Sequence, residues 1–248
     1  MKRILTATVG LCVILAGVGT TEAAVLYGTA RPGSYADGDI YSIDTGAQTS
    51  TLLVDLSATP VIPSGSPDIA PIAPDSPNGN AFDGKNGRFY FTSFMDPGSP
   101  ATPTVPPSEL YYVDVHDPSA IVWAGTLGGH ASDAAFYGER YWYIGHGTNV
   151  LRAVTFNPDG SLATDGAVAS VLHGEPGSLI FGDVAFDSEG LLYLTGAIKN
   201  QGTGYKRSVS GTMDTSTGAF TEIGSSLYWG QIAFGLDDVL YGHGSGTG

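Results

Sequence analysis

Phe181-Gly182-Asp183-Val184-Ala185-Phe186-Asp187-Ser188-Glu189-Gly190-Leu191-Leu192-Tyr193 is the stretch on which the fold turns. A short apolar run meets an Asp/Ser/Glu/Gly turn and an apolar, aromatic run returns, the pattern of a β-hairpin. The same pattern occurs elsewhere. Ala-Phe pairs stand at Ala81-Phe82, Ala135-Phe136, Ala185-Phe186 and Ala233-Phe234, spaced by 54, 50 and 48 residues. A turn follows each pair, at Asp83–Gly87, Tyr137–Arg140, Asp187–Gly190 and Gly235–Asp238, and a tyrosine follows each turn, at Tyr90, Tyr143, Tyr193 and Tyr241. Val25-Leu26-Tyr27-Gly28-Thr29 repeats the second half of the unit alone. Self-similarity at a near-constant period marks a repeat architecture.

Working outward, strand-like runs follow the hairpins at Asp39–Asp44, Leu110–Val115, Val150–Phe156 and Ser208–Asp214, and closing runs at Ser50–Leu56, Ile121–Leu127 and Phe220–Ile223. Four strands in about fifty residues describe one blade of a β-propeller. No long helical periodicity follows the N-terminal segment, so an α/β fold is disfavoured. Small alanines suit innermost strands, which crowd the central channel, while the adjacent Phe packs between blades. Three units are complete (78–127, 131–173 and 181–225), and the last stops after its first hairpin at Gly248. The expectation is an all-β propeller of four-stranded blades whose ring is incomplete or truncated. Pairing the two ends in one blade would make the Tyr27 and Tyr241 strands compete for a single place.

The N-terminus reads as an address. Lys2 and Arg3 precede an apolar stretch, Ile4 to Gly17, and Thr21-Glu22-Ala23 offers a small-residue cleavage site before Ala24. This is the order of a secretory signal peptide over 1–23, leaving one propeller domain over 24–248. Cys12 lies within that leader, so the mature chain has no thiol and no disulfide framework. Cleavage lowers the charged residues from 10 basic and 24 acidic to 8 and 23, a net charge of −15. Such a surface repels nucleic acid and anionic membrane and favours solubility. No transmembrane segment is expected once the leader is removed. The expected location is secreted, periplasmic or cell-surface, with an extracellular protein or a carbohydrate as partner. Segments 57–77 and 96–108 carry six and five prolines, which places both outside central strands as surface excursions.

Two residues before each repeat alanine stand Gly79, Asp133, Asp183 and Gln231, at the entrance to an innermost strand. Oxygen ligands converging there would suit calcium. Equally, Asp133 and Asp183 can cap backbone amides at strand starts. His146 and His243 follow repeat tyrosines, and Trp142 and Trp229 offer faces for stacking on a sugar ring. Alternation in Tyr141-Trp142-Tyr143 forces at least one neighbour onto the opposite side. No Gly-x-Ser-x-Gly elbow and no phosphate-cradling glycine loop occurs, so no catalytic residue is assigned.

Pro77-Asn78-Gly79-Asn80-Ala81-Phe82-Asp83 with Gly87-Arg88-Phe89-Tyr90, and the Phe181–Tyr193 unit, resemble the repeat of gluconolactonase-like six-bladed propellers. With the leader and the Asp-Thr-Gly-rich blades, the chain also resembles secreted bacterial propellers of the Pro-Glu-Pro surface-sorted (PEP-CTERM) type. The first resemblance implies a divalent metal on the channel axis, held by an Asn and acidic side chains. Asn78 matches in its Asn-Gly context and Asp183 more loosely, and no N-terminal glutamate ligand matches. The two functions that follow are a non-catalytic binding or assembly module, able to self-associate through unpaired blade edges, and a lactonase-like hydrolase or lyase acting on a small lactone or sugar at the channel mouth.

Overall fold

The Ala-Phe hairpin recurs in space as it does in sequence. A computed structural model describes residues 14–16, 25–30, 38–44, 46–47, 49–64, 77–93, 107–145, 148–171, 178–199, 206–224, 230–234, 238 and 240–244. In it Ala81 lies opposite Tyr90, Ala185 opposite Tyr193 and Ala233 opposite Tyr241 on antiparallel strands.

The chain is all-β and forms four antiparallel four-stranded blades of a propeller, with a further hairpin. The first blade comprises β1 (Ile14–Ala16), β2 (Val25–Ala30), β3 (Asp39–Asp44) and β4 (Thr49–Val54). A short strand, β5 (Val61–Pro63), precedes the second blade of β6 (Pro77–Asp83), β7 (Arg88–Ser93), β8 (Glu109–Asp114) and β9 (Asp117–Thr126). The third is β10 (Ala131–Tyr137), β11 (Arg140–Gly145), β12 (Val150–Phe156) and β13 (Leu162–Ser170). The fourth is β14 (Ser178–Phe186), β15 (Leu192–Lys199), β16 (Lys206–Met213) and β17 (Phe220–Gly224), and β18 (Gly230–Phe234) pairs with β19 (Leu240–Gly244) as a separate hairpin. The Tyr27 and Tyr241 strands therefore do not compete: they lie in different sheets. The place of innermost strand in the first blade, for which no Ala-Phe pair exists, is taken by Ile14–Ala16 from within the expected leader, antiparallel to Val25–Tyr27.

The inner strands of the second, third and fourth blades are packed between neighbours, and this gives the repeat its physical reason. An aromatic residue on the second strand of one blade meets the Ala-Phe phenylalanine of the next. Tyr27 lies 4.9 Å from Phe82, Tyr90 5.5 Å from Phe136, Trp142 5.5 Å from Phe186 and Tyr193 4.9 Å from Phe234, centroid to centroid. In the third blade this member is Trp142, not Tyr143. The turn there has only two residues, so Ala135 faces Trp142 and Ala134 faces Tyr143. A one-residue shift sends a side chain to the other face. Trp142 thus joins the core shared with the fourth blade, while Tyr141 and Tyr143 pack toward the second.

That two-residue turn, Gly138-Glu139, has φ of 58° and 63°, the positive pair a type I′ hairpin requires. A Cβ added at Gly138 would meet nothing within 4 Å, so only backbone conformation opposes a side chain there. Gly138→Ala is expected to cost about 1–2 kcal/mol, the penalty of the left-handed region. Urea unfolding measures it, and an unchanged midpoint would show that the turn relaxes.

The prolines of 57–77 bracket β5, which pairs in parallel with β9 as an outer fifth strand. An outer edge tolerates proline where a central strand does not. Most of 96–108 lies outside the described residues. Among those described, no helix is long and apolar enough to cross a membrane.

Candidate functional site at the inner strands

The innermost strands are irregular where the sequence places its polar residues. Register shifts fall between Asn78 and Ala81, between Ala131 and Ala134, and between Phe181 and Asp183. An extra residue in one strand bends it and re-aims side chains. Here Asp133 and Asp183 emerge from these irregular stretches on adjacent blades, and both are buried.

Asp183 accepts hydrogen bonds at both carboxylate oxygens. Oδ1 takes the amide of Val184 at 2.9 Å, and Oδ2 takes the amide of Ile232, on the next hairpin, at 2.8 Å. Burial pushes the Asp183 carboxyl well above the usual carboxylate range, and the charge of Asp133 pushes it the same way. The two amides act in the opposite sense but do not prevail. Gln231, at the corresponding position of β18, has a buried Oε1 with no hydrogen-bond partner among the described residues.

Other seams near the axis are sewn similarly. Asn80 donates its side-chain amide to Thr29 of the first blade at 3.0 Å. Between the second and third blades, the Tyr141 hydroxyl donates to the Gly79 carbonyl at 2.7 Å. The Thr92 hydroxyl lies 3.0 Å from the Asn78 carbonyl and 3.1 Å from that of Ala131. Ser108 Oγ lies 3.2 Å from His130 Nδ1 and accepts the Ala131 amide at 3.1 Å. That pair is buried and ties the approach to β8 to the start of β10. Sequence spacing gave no sign of it, because Ser108 and His130 are 22 residues apart.

The predicted site residues thus separate. Asp133 and Asp183 come together, with Gln231 in the equivalent position. Asn78 precedes its strand's register shift, and no contact among the described residues links its side chain to the aspartates. Trp142 is 8% exposed and donates its indole N–H to the Tyr137 carbonyl at 3.0 Å, so its ring is not a surface for sugar stacking. His146 and Trp229 lie outside the described residues. His243 falls on β19, opposite Gln231, but its side chain is not described. Among the described residues no group of three or more His, Cys, Asp or Glu is placed to hold a metal ion.

Many of the other acidic groups among the described residues belong to turns. Asp44 accepts the amides of Gly46 and Ala47, Asp159 the amide and hydroxyl of Ser161, and Asp214 the amides of Ser216 and Thr217. Such Asx turns account for much of the scattered negative charge.

No protein-family model matches the chain, and no curated protein matches it. Solved structures do. One named provisionally as a gluconolactonase is 13% identical, with a TM-score of 0.56, over 89% of this chain and 68% of that one. Luciferin-regenerating enzyme is 16% identical, with a TM-score of 0.50, over 90% of this chain and 65% of its own. TolB from Acinetobacter baumannii is 10% identical, with a TM-score of 0.50, over 88% and 44% respectively. This chain therefore spans less than two thirds of the luciferin-regenerating enzyme and less than half of TolB. At these identities the likeness shows a β-propeller fold and no more, and fold does not fix function.

Proposed function

We propose that the chain is an exported propeller acting as a non-catalytic binding or assembly module outside the cytoplasm. The observation that carries this reading is the use made of polar groups near the axis. Asp183 spends both oxygens on backbone amides of two strands, and Asn80, Thr92 and Tyr141 likewise join one blade to the next. Groups committed to holding strands are poorly free to bind and release a substrate. The leader-like sequence supports export, and processing before Ala24 would remove the β1 strand. An extracellular protein or carbohydrate is then the partner class. Exposed Val168 and Ile223, on the outer strands β13 and β17, offer edges for assembly.

A second reading, a lactonase-like enzyme with calcium on the axis, is favoured by one atom, the buried Oε1 of Gln231, which has no partner among the described residues. With Asp133 and Asp183 it supplies oxygen donors, the kind calcium takes, although calcium prefers about six to eight of them. Asp183 would share its oxygens between the ion and two amides. A cation there would supply charge to polarise a lactone carbonyl.

Hydrolysis of glucono-δ-lactone by the full chain, with and without calcium, and melting under the same conditions separate the two. The binding reading expects no turnover above buffer in either condition. Calcium-dependent turnover and a calcium-dependent rise in melting temperature, both lost in Asp183→Ala, would select the enzyme instead.

A further inference from the structure

Between the second and third blades, beside the Asp83–Gly87 and Gly138-Glu139 turns, lies a cleft of about 530 Å3. It is separate from the inner-strand aspartates and falls within the size of small-ligand sites, about 300–1,000 Å3. Its aromatic lining consists of Tyr90, Phe136 and Phe156, stacked with centroids 5.5 Å (Tyr90–Phe136) and 4.7 Å (Tyr90–Phe156) apart. Lys85 and Glu139, both well exposed, form an ion pair that links the two turns at its edge.

Arg88 also lines this cleft. Its guanidinium lies 4.8 Å from the Tyr112 ring centroid and interacts with the Tyr90 hydroxyl. The two arginines that salt-bridge among the described residues are Arg152, to Asp165, and Arg207, to Glu222. Arg88 has no such ion pair among the described residues, in a chain with 24 acidic residues and 10 basic ones. Of the carboxylates nearby, Asp83 is already engaged by the amides of Lys85 and Asn86 and by the Asn86 side chain at 2.6 Å, and Asp159 by the amide and hydroxyl of Ser161. A half-buried guanidinium with donors to spare, held in place by an aromatic ring, is suited to a planar carboxylate, which it can meet with two parallel hydrogen bonds. The adjoining aromatic faces suit the apolar face of a ring.

We propose that this cleft binds a ring bearing a carboxylate: Arg88 takes the carboxylate, and the half-buried Phe136 and Phe156, backed by the buried Tyr90, take the ring. For an exported protein the natural source is a uronic acid unit of an acidic polysaccharide, and in that clause alone the inference rests on the proposed function. An aromatic carboxylate presents the same chemistry.

Titration calorimetry of the full chain against galacturonate, benzoate and galactose tests it. Saturable binding of a ring carboxylate is expected, at least tenfold tighter than galactose, which has the ring without the carboxylate. Preference for galacturonate identifies a sugar acid as the source, and preference for benzoate an aromatic acid. Arg88→Met keeps an apolar stem against Tyr112 and is expected to weaken binding at least tenfold, while Lys85→Ala at the exposed edge changes it less than threefold. Equal affinity for galactose and galacturonate, no saturable binding of either carboxylate, or full binding by folded Arg88→Met would overturn the proposal. If Arg88→Met does not fold, the comparison of ligands on the unaltered chain still decides. Lactone turnover would refute the non-catalytic reading and leave this outcome untouched.

Discussion

Tyr90→Ala is expected to lower stability by about 3–5 kcal/mol, the range for removing a large buried aromatic side chain. Tyr90 is 1% exposed and lies where the second and third blades meet. Its ring contacts those of Tyr112, Phe136, Tyr141 and Phe156, with centroids between 4.7 and 6.1 Å. Truncation removes the central member of that cluster, and strands held in two sheets cannot close around the gap. Tyr90→Phe separates ring from hydroxyl. Burial is the main reason the phenol is pushed up to about 12, so the neutral hydroxyl is its form across ordinary pH. Losing its interaction with Arg88 is expected to cost about 0.5–1.5 kcal/mol, the net worth of one hydrogen bond. Urea unfolding of both variants checks the split. A loss below 1 kcal/mol for Tyr90→Ala would mean that inter-blade aromatics do not hold the ring together.

The same seam shows how far the sequence could be read. Pairing Ala-Phe with a following aromatic residue located the hairpins and the blades, because a residue buried between blades must be apolar wherever the chain comes round. Aligning Tyr143 with Tyr90 failed for a local reason. Tyr137–Arg140 closes with two residues where the second blade uses four, so Trp142 takes the core position and the tyrosine turns to the other face. Turn length decides this, and a run of three aromatics hides it. β5 was illegible because three residues among prolines have no periodicity. At the inner strands, Asp133 and Asp183 were legible as a pair from their spacing to the repeat alanines, whereas Asn78 was lost to a register shift that no pattern announces. Nothing in the sequence marks Arg88, since an arginine opening a strand is ordinarily a solvated edge; its place against the Tyr112 ring in an inter-blade cleft, with no salt bridge among the described residues, is visible only in the folded chain.

The pair Asp133 and Asp183 is expected to make the protein less stable as pH rises from about 5 toward 8, against the usual behaviour of carboxylates. Asp183 has a folded-state value raised by burial and by Asp133, above the unfolded reference of about 3.9. Folding therefore favours its protonated form: its contribution is fully present below the unfolded value and is lost as pH rises through the folded one. Asp55, Asp159, Asp214 and Asp238 work in the opposite direction. Hydrogen bonds from Ser57, Ser161, Ser216 and Ser188 lower their values, so they stabilise above the unfolded value and lose that contribution as pH falls. They lie at the surface, Asp55 partly covered, and solvent screening keeps their effect small. Asp133→Asn removes the neighbouring charge and should shrink the loss of melting temperature between pH 5 and pH 8 without abolishing it, since burial remains the larger cause. Asp183→Ala should flatten that dependence further. At pH 5 it should also cost about 2–6 kcal/mol, because the amides of Val184 and Ile232 lose their acceptors in a buried seam at about 1–3 kcal/mol each. Hydrogen exchange locates the damage: the Ile232 amide, donated across to Asp183 at 2.8 Å, should lose protection before the third-blade strands do. A melting temperature that rises steadily from pH 5 to 8 in the unaltered chain and is indifferent to Asp133→Asn would show that the carboxylates are ionised together, with a counter-charge between them that side chains do not supply.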